Sequence, residues 1–338
     1  MNDLHSADPV ELATLLMKVD STSGQEGAVV ALAEQLLAAR GWVTRRIPVT
    51  PGRDNLLATT RDAPPVVCLS THLDTVPPYL PPSLDGDRLR GRGSCDAKGI
   101  AAAMIVAADT LRSRGVAPAL LFVVGEETTH DGARAANLES ATTRVLINGE
   151  PTESTLGIGT KGALRFVLRT TGKAVHSAYP ELGRSATADL VRLLSELDAL
   201  ELPDDPLLGR TTINIGRLSG GVADNVTAPE ASARLMARLV GTADELLGLL
   251  RRWVNGRAAL EPGETVPAVR LSALEGFPTS VVAYATDVPN LSRWGRPYLF
   301  GPGSIHVAHT DEEFVSVSEL RAAVDAYVRL AESALSRI

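Results

Sequence analysis

Two cysteines, Cys68 and Cys95, are all that the 338 residues contain, and aromatic residues make up only 4% of the chain. So few thiols exclude a disulfide framework and fit a reducing cytoplasm. So few rings leave the core to Leu, Val and Ala. Long apolar runs are missing as well: the longest, Gly99 to Ala108, is about half of the ~20 residues that cross a bilayer. There is no long basic cluster, and the net charge of −7 speaks against a nucleic-acid partner. The first residues, Met1 to Asp8, carry acidic groups where a signal peptide has its basic, apolar and small segments. The expectation is a soluble, cytoplasmic protein without membrane or nucleic-acid partners. What is present is ordinary for a globular chain, 44% hydrophobic and 22% charged, and the length suits two domains.

Helix signals open the chain. Asp8 can cap, Pro9 suits the first helical position and Glu11 completes a capping box. A second helix is expected over about 26–40 and a third from Asp96 to Gly115, with β-branched runs near 66–70, 119–124 and 144–148 between them. Alternating strands and helices predict an α/β fold, a mostly parallel sheet sandwiched by helices. After Gly157 the pattern changes. A half-exposed strand over 161–171, a helix over 185–199, strands near 211–218 and 230–240, a helix near 242–254 and a strand near 266–273 read as an inserted α+β domain. The expected division is 1–159 with 274–338 for the first domain and 160–273 for the insert. Ser316 and Glu319 form a second capping-box signal, for the last helix.

Five potential metal ligands stand out. His72 follows Val66-Val67-Cys68-Leu69, Glu127 follows Leu120-Leu121-Phe122-Val123-Val124-Gly125, and Glu150 follows Val145-Leu146-Ile147-Asn148-Gly149. Asp96 and His309 complete the set. Carboxylates and imidazoles beside core strands need a partner or a metal, and open α/β sheets place ligands at the carboxyl ends of their strands. A lone His-x-Asp or Glu-Glu pair is an ordinary feature; the signal is the ordered set. Asp96 can bridge two ions, Asp74 can orient the His72 imidazole, and Glu126 beside Glu127 can stay free as general base. His130 reads as a loop residue. Cys95 is not needed as a ligand because the set is complete without it.

Five segments carry a family resemblance: Thr71-His72-Leu73-Asp74-Thr75-Val76-Pro77, Gly91-Arg92-Gly93-Ser94-Cys95-Asp96-Ala97-Lys98-Gly99, Gly125-Glu126-Glu127, Asn148-Gly149-Glu150-Pro151-Thr152, and Gly301-Pro302-Gly303 with Ala308-His309-Thr310. In order and content they resemble the co-catalytic zinc family of acetylornithine deacetylase, succinyl-diaminopimelate desuccinylase, aminoacylase and carboxypeptidase G. The resemblance implies a zinc-exopeptidase-type fold with a lid domain. It implies two zinc ions per chain, for which cobalt or manganese could substitute. His72 and Glu150 would hold one ion, Glu127 and His309 the other, Asp96 would bridge, and Glu126 would act as base. His309 is preferred to His306 by its Ala-His-Thr context.

The insert resembles that family's lid. Gly172-Lys173-Ala174-Val175-His176-Ser177-Ala178 matches the segment whose histidine reaches a partner subunit's site, which implies a homodimer through the lid with His176 on the oxyanion. Asn225, in Gly220-Gly221-Val222-Ala223-Asp224-Asn225-Val226, and Arg238 would contact the substrate carboxylate, with Arg234 as the competing arginine. The stretch between His72 and Asp96 is shorter than usual for the family, which bears on pocket shape and leaves the ligands untouched. The implied reaction is hydrolysis of the amide of an N-acyl amino acid, acetylornithine-like compounds first. Succinyl-diaminopimelate and a dipeptide cleaved in the carboxypeptidase manner follow.

Overall fold

The computed structural model describes residues 7–139 and 141–338. Residues 1–6, which include most of the segment lacking a leader pattern, lie outside the described residues. The chain divides into two compact units. The first comprises Met1–Ile158, Leu271–Ser280 and Thr286–Ile338; the second comprises Gly159–Arg270 and Val281–Ala285.

The first unit opens with α1 (Pro9–Met17) and α2 (Gly27–Ala39). Asp8 caps α1 by accepting from Val10 N at 3.1 Å. That bond takes the place of the one expected with Glu11, so the cap is simpler than a capping box. A hairpin follows, β1 (Val43–Thr50) and β2 (Arg53–Thr59), which the hydrophobic pattern did not announce. In β1 only Ile47 is buried while Arg45 and Arg46 pair with acids outside. An edge strand dressed in charge carries little apolar signal. Then come β3 (Val67–His72), α3 (Lys98–Ser113), β4 (Pro118–Val123), the short α4 (Asp131–Ala136) and β5 (Val145–Asn148).

In the second unit, β6 (Gly162–Thr171), α5 (Ala186–Ser195), β7 (Thr212–Gly220), β8 (Glu230–Leu239), α6 (Ala243–Val254) and β9 (Ala259–Val266) build a small domain. Its sheet is antiparallel throughout, in the order β7–β8–β6–β9. Leu164, Phe166 and Leu168 of β6 and Ala233, Leu235 and Ala237 of β8 face one side and pack with Leu190 and Leu193 of α5 and Leu246 and Leu250 of α6. The period of two in the strands meets the helical period of the α-segments, and one apolar layer results. The Thr242–Glu245 capping box starts α6. One expectation is corrected here: the strand placed near 266–273 lies at Ala259–Val266. Glu261, Pro262 and Glu264 on this edge strand hide it from a hydrophobic pattern.

The chain returns with β10 (Arg296–Leu299) and ends in α7 (Val317–Leu335), capped by Ser316, which accepts from Glu319 N at 3.2 Å. Six strands of the central sheet run β1–β2–β4–β3–β5–β10. β4, β3, β5 and β10 run parallel to one another, β2 pairs with β4 antiparallel, and β1 closes the edge antiparallel to β2. Alternate residues of β3, β4 and β5 feed two cores. Val67, Leu69, Leu120, Phe122, Val145 and Ile147 pack with α1, α2, α3 and α7, whereas Cys68, Ala119, Leu121, Val123 and Leu146 pack with α4, Leu291 and Trp294. Burial on both faces explains why these strands read as continuous apolar runs. Among the described residues no helix is long and apolar enough to cross a membrane.

Candidate active site

Strand geometry gathers the polar residues. His72 is the last residue of β3, opposite Val123 of β4, and Ser70 of β3 lies opposite Asn148 of β5. The segments leaving these strands carry Asp74, Glu126, Glu127 and Glu150, all at the carboxyl edge of the parallel sheet. At Gly125 the chain turns with φ of 74°, and its carbonyl accepts from His130 N at 2.7 Å and Thr129 N at 3.0 Å. A Cβ there would sit 2.1 Å from Asp131 Oδ1, so the turn requires glycine. Arg53 of β2 ties the far end of this loop down, donating to Asp131 Oδ2 at 2.7 Å and to Glu26 Oε2 at 2.9 Å.

Asp96 stands between two imidazoles. Its Oδ1 is 3.0 Å from His72 Nε2 and its Oδ2 is 3.2 Å from His309 Nε2. His309 Nε2 is also 2.9 Å from Glu127 Oε2. The structure thus brings together His72, Asp96, Glu127 and His309, with the two Asp96 oxygens turned to different partners. Asp74 is buried behind them. Its carboxylate accepts from Glu126 N at 3.1 Å, Glu127 N at 3.2 Å and Ser23 Oγ at 2.7 Å, while its carbonyl faces His72 Nδ1 at 2.9 Å. Asp74 therefore fixes both the imidazole and the glutamate pair. Glu150 is buried, and its Oε1 has no hydrogen-bond partner among the described residues.

The charges of this set do not balance by themselves. Burial alone would lower the His72 imidazole, but Asp74 and Asp96 outweigh it and hold it well above its ordinary value. Hydrogen bonds that His309 donates to Asp96 and Glu127 raise it to about 10. Burial would raise Asp96, yet His309 and His72 hold it far below the ordinary carboxylate range. Glu126, Glu127 and Glu150 are all pushed up by burial first, helped by neighbouring carboxylates. Buried carboxylates and imidazoles with an orphan oxygen are a donor set fitted to divalent metal, and oxygen and nitrogen donors suit zinc. His72, Asp96, Glu127, Glu150 and His309 are the residues that could hold it.

Several contributors carry no sequence signal. Glu313, in an Asp-Glu-Glu run that reads as exposed, is buried and accepts from Gly93 N at 2.9 Å and from Cys95 N and Asp96 N at 3.3 Å each. Arg92, equally buried, donates to Glu313 Oε2 at 2.7 Å. Together they pin the loop that presents Asp96. Cys95 Sγ turns to Ser304 O and Glu313, and burial raises its thiol. His306 is exposed and stays out of the cluster. His130 is no bare loop residue: its ring lies 2.8 Å from the buried Asp287.

In the second unit, His176 and Asn225 adjoin. Val226 bridges to His176, and Ser177 N donates to Asn225 O at 2.9 Å. Both side chains belong to exposed residues. Arg238 stands near the other end of β8, opposite Thr212 and Ala163. Most of a ten-residue strand, at about 3.4 Å per residue, separates it from Asn225. Asn225 and Arg238, both expected on the substrate carboxylate, thus lie before β8 and near its far end. Arg234 lies further back along the same strand, opposite Arg217.

The chain is similar to known proteins in sequence and in fold. Residues 158–260 match the family model described as the peptidase dimerisation domain of the M20 group. A probable carboxypeptidase of Aspergillus flavus is 40% identical over 371 residues, covering 95% of this chain and 86% of its own length. A tripeptidase of Staphylococcus aureus superposes with a TM-score of 0.81 at 19% identity, over 95% of this chain and 96% of its own. A dinuclear metal-binding peptidase of the M20 family from Bacillus subtilis gives 0.71 at 16% identity, over 96% and 98%.

Proposed function

This chain belongs to the M20 metallopeptidase family, and on that premise we propose that it hydrolyses the amide joining an acyl or aminoacyl group to an amino acid with a free carboxylate. The carrying observation is Asp96, whose two oxygens face His72 and His309 separately while Glu127 reaches His309, with a buried Glu150 whose Oε1 has no hydrogen-bond partner among the described residues. That is the donor arrangement of a two-metal site with a bridging carboxylate. His72 and Glu150 would hold one ion, and Glu127 and His309 the other. Bound there, two divalent ions supply a Lewis acid for the carbonyl and lower the pKa of water. Zinc is the reading favoured by the donors, and cobalt or manganese would fit the same oxygens and imidazoles.

The chain's own residues do the rest. Glu126, held by Asp74 through its backbone N–H, takes a proton from water and returns it to the leaving amine. Burial and like charges raise its carboxyl, the direction that a base required to hold and release a proton at neutral pH needs. In a homodimer formed through the lid, His176 of one chain would stabilise the oxyanion in the partner subunit's site, and Asn225 and Arg238 would contact the substrate carboxylate. The Aspergillus flavus relative's description as a probable carboxypeptidase moves dipeptides and N-acyl amino acids with a free C-terminal carboxylate ahead of acetylornithine and succinyl-diaminopimelate.

The test is hydrolysis by the zinc-loaded protein across C-terminal dipeptides, N-acyl amino acids, N-acetylornithine and succinyl-diaminopimelate, with Glu126→Gln alongside. Turnover that collapses in Glu126→Gln while the metals remain supports the reading. Full turnover in Glu126→Gln, or no metal bound, sinks it. Mixing Glu126→Gln with His176→Ala then tests the dimer: one working site reappears per mixed dimer only if His176 serves its partner.

A further inference from the structure

Glu126 is flanked by a second pair of side chains that hydrolysis as described leaves unused. His130 Nδ1 lies 2.8 Å from Asp287 Oδ1 and 3.7 Å from Glu126 Oε1. All three groups are enclosed, with side-chain exposures of 12% for His130, 2% for Asp287 and 10% for Glu126. The contact joins segments 157 residues apart, so tertiary folding makes it rather than local sequence. The backbone of His130 is left-handed, with φ of 53°. Glycine takes that conformation freely, whereas an imidazole there is held against preference.

We propose that His130 and Asp287 are positioning residues for the general base. The proposal rests on the reading of Glu126 as that base. Donation of the Nδ1 proton to Asp287 sets the tautomer and the plane of the ring, as carboxylate partners do for other working histidines. The ring edge then stands against Glu126 Oε1 as a fixed wall. The last torsion of a glutamate is broad and roughly two-fold, so an unsupported carboxylate samples many orientations. Asp74 holds the backbone of Glu126, and the His130–Asp287 pair restricts its carboxylate. Neither residue has to touch substrate.

The left-handed backbone provides a clean variant. In the zinc-loaded full chain, His130→Gly removes the ring while the backbone conformation remains accessible. The expected result is a fall in kcat of about 10- to 100-fold, with KM and metal stoichiometry unchanged in a chain that still folds, its melting midpoint lowered because buried Asp287 loses a partner. Added imidazole restores part of kcat in His130→Gly and none in wild type. Asp287→Asn, which still accepts the Nδ1 hydrogen bond, keeps most of the activity, and Asp287→Ala loses as much as His130→Gly. Wild-type kcat in His130→Gly overturns the proposal. So does a loss that imidazole cannot rescue, or one that follows lost metal. A third metal equivalent that disappears in His130→Gly also overturns it, because the cluster would then be a cation site. Failure of the underlying reading is separate: it is full turnover in Glu126→Gln.

Discussion

Among the described residues, every buried charged side chain lies in the first unit, and none lies in the second. Glu26, His72, Asp74, Arg92, Asp96, Lys98, Glu150, Asp287 and Glu313 are all buried in the one, whereas the buried polar residues of the other are Thr160, Thr170 and Thr211. The lid unit keeps its arginines outside, as on β6, where Arg165 and Arg169 alternate with Leu164, Phe166 and Leu168. It is built by apolar layering alone. The first unit accepts a desolvation cost that layering does not require. Lys98, lowered to about 8 by burial, shows how far that goes. Such a concentration of buried charge is what a functional site requires and apolar layering does not.

The largest effect should come from the carboxylate between the two imidazoles. Asp96→Ala is expected to lose both metals and more than about 10³-fold in kcat, read by metal analysis and steady-state kinetics. A variant retaining two metals would break the assignment of Asp96 as bridge. Next come matched changes in the two units. Glu313→Ala leaves Arg92 buried and unpaired and should cost about 3–5 kcal/mol in chemical denaturation. It should also weaken metal retention, because three backbone donors of the Asp96 loop lose their acceptor. Leu250→Ala in the lid should cost about 2–5 kcal/mol through a cavity, with metal content intact. Equal metal loss in both would erase the distinction between the units.

Metal binding itself should release protons, since the raised glutamates and imidazoles must give theirs up. Calorimetry in buffers of different ionisation enthalpy checks this, and no buffer dependence would refute it. The smallest effect is at Asp131. Burial would raise its carboxyl, but Arg53 more than compensates and lowers it from 3.8. A lowered folded value contributes stability above the unfolded value and loses it as pH falls through the folded one. The stability gap between wild type and Asp131→Asn should therefore be present at neutral pH and close below about pH 4. A gap that persists in strong acid would show that the residue acts by packing.

Much of this protein is legible along the chain. The apolar runs before His72, Glu127 and Glu150 are strands buried on both faces, so their periodicity could not be mistaken for surface, and the polar residue that ends each run was conspicuous for that reason. The lid was readable too, except at its edge strand, where Glu261, Pro262 and Glu264 mask the pattern. The β1–β2 hairpin escaped for the same reason.

The sequence by itself determined which residue types end the buried strands and which segments alternate, because burial of apolar side chains imposes periods that survive in one dimension. Tertiary structure alone decided the partners of those residues. Glu313 reaches the Asp96 loop across 217 residues, and Asp287 reaches His130 across 157. Hydrogen bonds are short and directional, so they depend on where folding brings two segments, and residue identity carries no trace of that distance.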